Sequence, residues 1–340
     1  MAKNLLIVES PAKAKTINKY LGKDFHVLAS YGHVRDLVPR EGAVDPDRDF
    51  AMRYELIDKN EKHVEAIAKA AKQADALYLA TDLDREGEAI SWHISEILRE
   101  RGLLDGRKLH RVVFSEITPK AINEAVAHPR KLQNDLVNAQ QARRALDYLV
   151  GFNLSPVLWR KVQTGLSAGR VQSPALRLIV EREEEIEAFK AQEYWTIAAQ
   201  CAHPSQAFDA RLLRYDGHKV EQFTFRDGEH AEAARAELIR AANGQLKVAD
   251  VTRKQRQRRA APPFITSTLQ QEAARKLGFG TSRTMRVAQG LYEGVALGAE
   301  GQVGLITYMR TDAVHLANDA IAELRDVIAQ RYGKQALPET

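Results

Sequence analysis

Apolar positions along the 340-residue chain fall into two rhythms over its first half. Asn4-Leu5-Leu6-Ile7-Val8 and Ala76-Leu77-Tyr78-Leu79-Ala80-Thr81 are short, almost unbroken apolar runs, which predict strands covered on both faces. Val64–Ala74 and Glu88–Glu100 instead repeat their apolar positions at helical spacing and predict amphipathic helices. Strand and helix alternating up to about residue 145 predict an α/β domain with a mainly parallel sheet. Pro39 to Asp58, rich in Pro, Asp and Arg, reads as an excursion from that core.

The pattern then changes. Residues 146–190 read as mostly helical, with Gly165 and Gly169 marking a loop and Ser173-Pro174 opening a long helix that ends in the acidic run Glu181–Glu187. From Tyr194 to Val251 short β-like alternation takes over, as in Trp195-Thr196-Ile197 and Gln222-Phe223-Thr224-Phe225. A new helix begins within Phe264–Thr268, where Ser267 and Gln270 have capping-box spacing. It runs to Lys276, breaks at Gly278-Phe279-Gly280 and resumes from Thr281 to Glu293. Four segments are expected: 1–145 (excursion about 37–60), 146–193, 194–261 and 262–340. No internal repeat or low-complexity tract interrupts them.

Three places carry candidate chemistry. Gly304-Leu305-Ile306-Thr307-Tyr308-Met309-Arg310-Thr311-Asp312 reads as a strand, in which residues two apart share a face, so Arg310 would stand beside the Tyr308 oxygen. A guanidinium there favours the phenolate and neutralises a phosphate under attack; the same residues also fit a buried strand tyrosine with a surface arginine. Asp82-Leu83-Asp84-Arg85-Glu86-Gly87-Glu88 follows the second apolar strand. Alternating carboxylates at a strand end suit a hard cation such as magnesium, and equally a solvated βα loop with an acidic helix start. An EF-hand is excluded, because its closing bidentate Glu would fall on His93. Glu9 ends the first strand, and Ser10-Pro11 fits an N-cap and first helical position, so the helix start and Lys13 favour anions. Glu9 suits an acid/base or a metal-side role, although an ordinary capped βα turn needs no more than this. No phosphate loop for ATP and no Gly-x-Gly-x-x-Gly run is present.

A strand ending in Glu9 and another ending in Asp82-x-Asp84-x-Glu86 resemble the Toprim domain of topoisomerases and bacterial primases. With Gly165-Leu-Ser-Ala-Gly-Arg-Val-Gln-Ser173 and Gly304-Leu-Ile-Thr-Tyr-Met-Arg-Thr-Asp312 in the family's order, the chain resembles the bacterial DNA topoisomerase I family, of type IA. The matching blocks cover roughly 3–36, 75–120, 134–195 and 262–312. The resemblance implies a Toprim domain, a helical arch segment, the first part of a β-rich hinge and a winged-helix-like domain carrying the tyrosine. It also implies magnesium-dependent, ATP-independent cleavage and rejoining of one DNA strand through a 5′-phosphotyrosine, relaxing negative supercoils. Tyr308 would be the nucleophile. Arg310 would stabilise the phosphorane, Glu9 would handle the 3′-oxygen proton, and Lys13 would contact the scissile phosphate. Asp82, Asp84 and Glu86, with Glu9, would hold magnesium, while His33, Arg35, Arg170, Gln172 and Asp312 would contact DNA.

Composition narrows the alternatives. No apolar run approaches the ~18 residues that cross a bilayer, and Met1-Ala2-Lys3-Asn4 is not a signal-peptide start. One cysteine, Cys201, can form neither an internal disulfide nor a zinc ribbon. A cytoplasmic, nucleoid-associated monomer is expected. The net charge of +5 is compatible with nucleic acid, and cations cluster at Arg253-Lys254-Gln255-Arg256-Gln257-Arg258-Arg259, Arg143-Arg144 and Arg160-Lys161 beside Trp159. The alternatives are a non-catalytic helix-turn-helix DNA-binding module, built on the two helices about Gly278, and another Toprim enzyme such as a primase. The family's His-Glu-Ala-Ile-Arg-Pro run beyond the tyrosine is missing, so a fragment is expected that relaxes supercoils poorly by itself.

Overall fold

The computed structural model describes residues 3–202, 206–256, 258 and 260–338. Gln257 and Arg259 of the basic run, and Glu339 and Thr340 at the chain's end, lie outside the described residues. The chain forms two compact units, one of residues 1–170 with 260–340 and the other of residues 171–259.

The first unit is built on a four-stranded, all-parallel sheet in the spatial order Phe25–Ala29, Asn4–Val8, Ala76–Leu79, Lys108–Arg111. Helices α1 (Pro11–Leu21), α2 (Glu61–Ala71), α3 (Arg85–Glu100) and α4 (Pro119–Ala127) connect and cover these strands. Leu5, Leu6, Ile7 and Val8 are each at most 1% exposed, because the central strand is sandwiched on both faces. Side-chain alternation divides them. Leu5 and Ile7 join Leu77 and Leu79 in a cluster with Val64 and Ile67 of α2 and Ile90, Ile94 and Ile97 of α3. Leu6 and Val8 point to the other face, into a cluster with Ile17 of α1 and Ile122 of α4. That second cluster also contains Ala288, Tyr292, Tyr308 and Met309, so the tyrosine segment is part of the sheet's own core.

The excursion is ordered as two small antiparallel ladders, Arg35–Leu37 with Tyr54–Leu56 and Val44–Asp45 with Ala51–Met52. Helix α5 (Asn134–Lys161) is continuous through 28 residues. The boundary expected at 145 therefore falls inside a helix. Pro156 lies inside it, near the C-terminal end, and the helix runs on past it to Lys161.

The second unit opens with α6 (Gln172–Ala188) and holds the antiparallel pairs Ala198–Cys201 with Phe208–Arg211 and Arg214–Tyr215 with His218–Lys219. The β-like alternation expected to Val251 is interrupted by α7 (Gly228–Ala242). Asp227 caps this helix by accepting from the His230 amide at 2.7 Å, and its alanine-rich stretch has strong helical propensity. Back in the first unit, α8 (Thr266–Leu277) and α9 (Thr281–Glu293) flank Gly278, whose φ of 65° ends α8 in the left-handed conformation. The α8 start differs from expectation. Ile265 is the N-cap, and the Thr268 hydroxyl accepts from its amide at 3.0 Å. Helix α10 (Asn318–Tyr332) follows the tyrosine segment.

Candidate active site

Because parallel neighbours end on the same side, the Asn4–Val8 and Ala76–Leu79 strands deliver Glu9 and Asp82 side by side at the carboxyl edge of the sheet. A cleft of about 450 Å³ opens there, lined by Glu9, His33, Asp82, Asp84 and Glu86 on one side. Met285, Arg286 and Gln289 of α9, with Met309 and Arg310, line the other.

The acidic loop is held rigidly. Asp84 caps α3 by accepting from the Gly87 amide at 2.9 Å. Gly87 has no room for a side chain, since a Cβ would stand 2.1 Å from the Asp82 carbonyl oxygen. Arg111, 1% exposed, donates to the carbonyls of Thr81 at 2.8 Å and Asp82 at 2.6 Å. Its Nε meets the fully buried Glu88 carboxylate at 2.9 Å, which also accepts from Arg130 and the Gln133 amide. A buried charge without such partners would be costly.

Lys13 projects from α1 into the centre of the acids. Its ammonium is fully buried, paired with Glu9 and 2.5 Å from Asp82 Oδ1, and lies 4.9 Å from the Tyr292 ring centroid. Burial works against that charge, but Glu9 and Asp82 more than offset it and raise the lysine's pKa. Enclosed in this way, Lys13 binds the two carboxylates together and does not reach out to a phosphate. For Glu9 the balance is opposite. Burial leads, Asp82 adds to it, and Lys13 only partly compensates, so the pKa is raised to about 7. Beyond the lysine, neither Glu9 oxygen meets a hydrogen-bond donor among the described residues.

Tyr308 is 4% exposed and its hydroxyl donates to Asp84 Oδ2 at 2.6 Å. Two expectations are corrected here. Residues 304–312 form no strand. The segment is anchored instead by the Tyr308 amide donating to the Ser115 carbonyl at 2.7 Å and by Thr311 and Thr266 contacts. The phenol is also not eased toward phenolate. Burial, Asp82 and Asp84 raise its pKa, and Arg310 opposes them only weakly. Arg310 has a 60% exposed side chain and its Nη1 stands 3.7 Å from the same Asp84 oxygen that accepts from Tyr308.

The remaining candidates divide. His33 lines the cleft, 3.5 Å from Glu86 Oε2, and Glu86 also accepts from Gln140 of α5. Arg35 turns away, bonded to His93 and Glu100 and lying over the Tyr54 and Trp92 rings. Arg170 is paired with Asp147 at 2.8 Å. Neither arginine lines the cleft, and neither does Asp312, which is exposed. Gln172 begins α6 in the other compact unit. Met285, Arg286, Gln289, Gln140 and Arg111 were not anticipated. The spacing of 285, 286 and 289 marks one face of α9, but which face meets the acids depends on its docking.

Among the described residues no group of three or more His, Cys, Asp or Glu comes together as a metal-holding cluster. Magnesium requires none, because it keeps several waters and uses one or two carboxylates. Hard oxygen donors at Glu9, Asp82, Asp84 and Glu86, with both Glu9 oxygens short of donors, fit that ion.

Known proteins were compared with the chain. A DNA topoisomerase family model matches residues 131–340 and a Toprim domain model matches residues 4–117. DNA topoisomerase 1 of Xylella fastidiosa (strain 9a5c) is 72% identical over 339 residues, covering 100% of this chain and 42% of that protein. The Rickettsia felis protein of the same name is 56% identical, covering 99% of this chain and 43% of its own length. The chain thus spans less than half the length of these curated relatives. A full-length topoisomerase I structure from Thermotoga maritima superposes with a TM-score of 0.78 at 41% identity, over 97% of this chain and 53% of that one. No described helix is long and apolar enough to cross a membrane.

Proposed function

This chain belongs to the DNA topoisomerase family, and we propose that its cleft cuts and rejoins one strand of DNA through a covalent bond to Tyr308. The observation that carries this reading is the 2.6 Å hydrogen bond from the Tyr308 hydroxyl to Asp84, a residue of the cleft wall that Glu9 and Arg310 also line. A nucleophile, a proton acceptor, an acid and a cation stand within one site, which is the set that transesterification needs.

Each group has a step. The Tyr308 oxygen attacks the phosphorus of a single-stranded segment while its proton passes to Asp84. Arg310, exposed and beside the same carboxylate, meets the equatorial oxygens as negative charge builds on them. The bond to the 3′ oxygen breaks, and that oxygen takes a proton from Glu9, whose raised pKa of about 7 keeps a proton available near neutrality. The product is a 5′-phosphotyrosine and a free 3′ hydroxyl. Rejoining is the reverse, and the ester stores the bond energy, so no ATP is consumed. Lys13 acts through Glu9 and Asp82, whose mutual repulsion it relieves.

Asp82, Asp84 and Glu86, with Glu9, would hold magnesium, which would supply positive charge to the reacting phosphate. Repeated cycles would relax negatively supercoiled DNA in a monomeric protein, an activity that these 340 residues by themselves are expected to perform poorly, with residues 146–193 and 194–261 as arch and hinge segments and 262–340 as the domain that presents the tyrosine.

The test uses a single-stranded oligonucleotide labelled at its 3′ end, magnesium and a detergent quench. Label is expected to migrate with the protein, and to do so no longer for Tyr308→Phe. An adduct retained by the phenylalanine variant would overturn the assignment.

A further inference from the structure

The reaction above makes no use of Tyr31, yet the backbone holds it in a conformation that few bulky residues adopt. Its φ is 60°, in the left-handed region, and such strain persists only where the surroundings impose it. The Ser30 amide donates to the Val8 carbonyl at 2.8 Å and the Gly32 amide to the Glu9 carbonyl at 2.9 Å, so the loop is tied to the strand end that bears Glu9. The Ser30 hydroxyl donates to the Gly32 carbonyl at 2.9 Å. Asn60, 5% exposed, spends its side-chain amide on the carbonyls of His33 at 2.7 Å and Tyr31 at 3.4 Å.

All this ordering does not bury the Tyr31 ring. It stays 49% exposed and stacks on His63, with ring centroids 3.7 Å apart and planes 18° from parallel. A single exposed aromatic would mean nothing. Here the strain, the stacked backing ring and the tether to Glu9 occur together, two residues from His33 on the cleft wall. Slight burial and the neighbouring Lys62 charge lower the His63 pKa, which favours a neutral backing ring.

We propose that Tyr31, backed by His63, is a stacking platform for an unpaired base of the DNA strand that enters the cleft. Every base has a π-face, so such a platform holds a single strand without reading its sequence. A base held there would fix the strand relative to Glu9 through the Gly32 tether. The inference rests on the cleft being a DNA-cleaving site.

The test measures equilibrium binding of the chain, without magnesium, to oligothymidylate and to an abasic oligonucleotide of equal length. Tyr31→Asn removes the ring but suits a positive φ, and Tyr31→Phe keeps the ring. Tyr31→Asn is expected to weaken oligothymidylate binding by about 5- to 150-fold, the range of one lost base–aromatic stack. It is expected to leave abasic binding unchanged, and Tyr31→Phe is expected to match the parent on both. Equal losses on the two ligands, or no loss on either, would overturn the platform. The parent's covalent adduct with magnesium separates the two ideas. An adduct together with ring-independent binding rejects only the platform, whereas ring-dependent binding without an adduct rejects the cleavage reading and leaves the platform as a binding site.

Discussion

Thr16 of α1 donates its hydroxyl to the Glu293 carbonyl at 2.8 Å, a buried bond between residues 277 positions apart. It pins the end of α9 to the helix that carries Lys13. Next to it, Gly294 leaves no space, since a Cβ would come within 2.8 Å of the Thr16 oxygen. Lys19 and Tyr20 extend the seam by donating to the carbonyls of Glu300 and Gln302. Thr16→Val keeps the shape and removes the donor. The Glu293 carbonyl is then buried without a partner, which costs about 1–3 kcal/mol. Urea unfolding should show that loss, and adduct formation should slow as Tyr308 loses register with Asp84. Unchanged stability would mean that the carbonyl finds another donor.

Gly87→Ala tests the packing of the acidic loop. The new methyl meets backbone of Asp82 at 2.1 Å, and backbone cannot yield as a flexible side chain does. The loop and the α3 start must separate, moving Asp82 and Asp84 relative to each other. Displacements near 1 Å cost about 100-fold where geometry carries the reaction. Cleavage should fall by at least that factor while far-ultraviolet circular dichroism stays close to that of the parent.

Glu88→Ala should be among the most destabilising changes in the first unit. It strands Arg111 in the core, 1% exposed, and removes the partner of Arg130. Burial by itself would raise the Glu88 pKa, but Arg111 leads the contacts that bring it below its ordinary value, so the pair is ionised. Breaking such a pair costs about 3–5 kcal/mol. Denaturant midpoints should report it. Replacing Arg111 and Glu88 together with apolar residues should recover part of the loss, because no lone charge then remains.

His93 sets an acid limit on stability. Burial first, then Arg35 and His33, lower its pKa from 6.5 to about 3. Between those values the unfolded chain binds a proton that the folded chain does not, so stability falls as pH drops through that window and the contribution is level above it. The slope from one such group reaches about 1.4 kcal/mol per pH unit. His93→Gln retains a carbonyl that can accept from Arg35 Nε, now 3.2 Å from the imidazole. The stability difference between parent and variant should be constant above pH 7 and should shift in favour of the variant from pH 6 to 4. A difference independent of pH would show that His93 takes up its proton as readily in the fold as in the unfolded chain.

Local chemistry determined much of this molecule from sequence alone. Unbroken apolar runs gave away the strands at Asn4–Val8 and Ala76–Leu79, since a strand covered on both faces has no polar side to show. The break at Gly278 and the helix from Thr281 to Glu293 were equally legible, because caps act within one turn. Glu9, Asp82 and Asp84 could be placed at strand ends, and a parallel sheet sends those ends to one edge.

Tertiary structure decided what faces those acids. Tyr308 reaches Asp84 over 224 positions, and it does so without the strand that its apolar neighbours suggested, because core burial and the Ser115 carbonyl hold the segment instead. Arg35 and Arg170 carry the charge suited to DNA but are committed to Glu100 and Asp147, and nothing in their local sequence reveals those partners. Lys13 has the look of an exposed phosphate ligand in sequence and proves to be fully buried between two carboxylates. Spacing along the chain reports which residues share an element. The protonation state of Glu9 and the reach of Tyr308 depend on distance and burial, which exist only once the elements have packed.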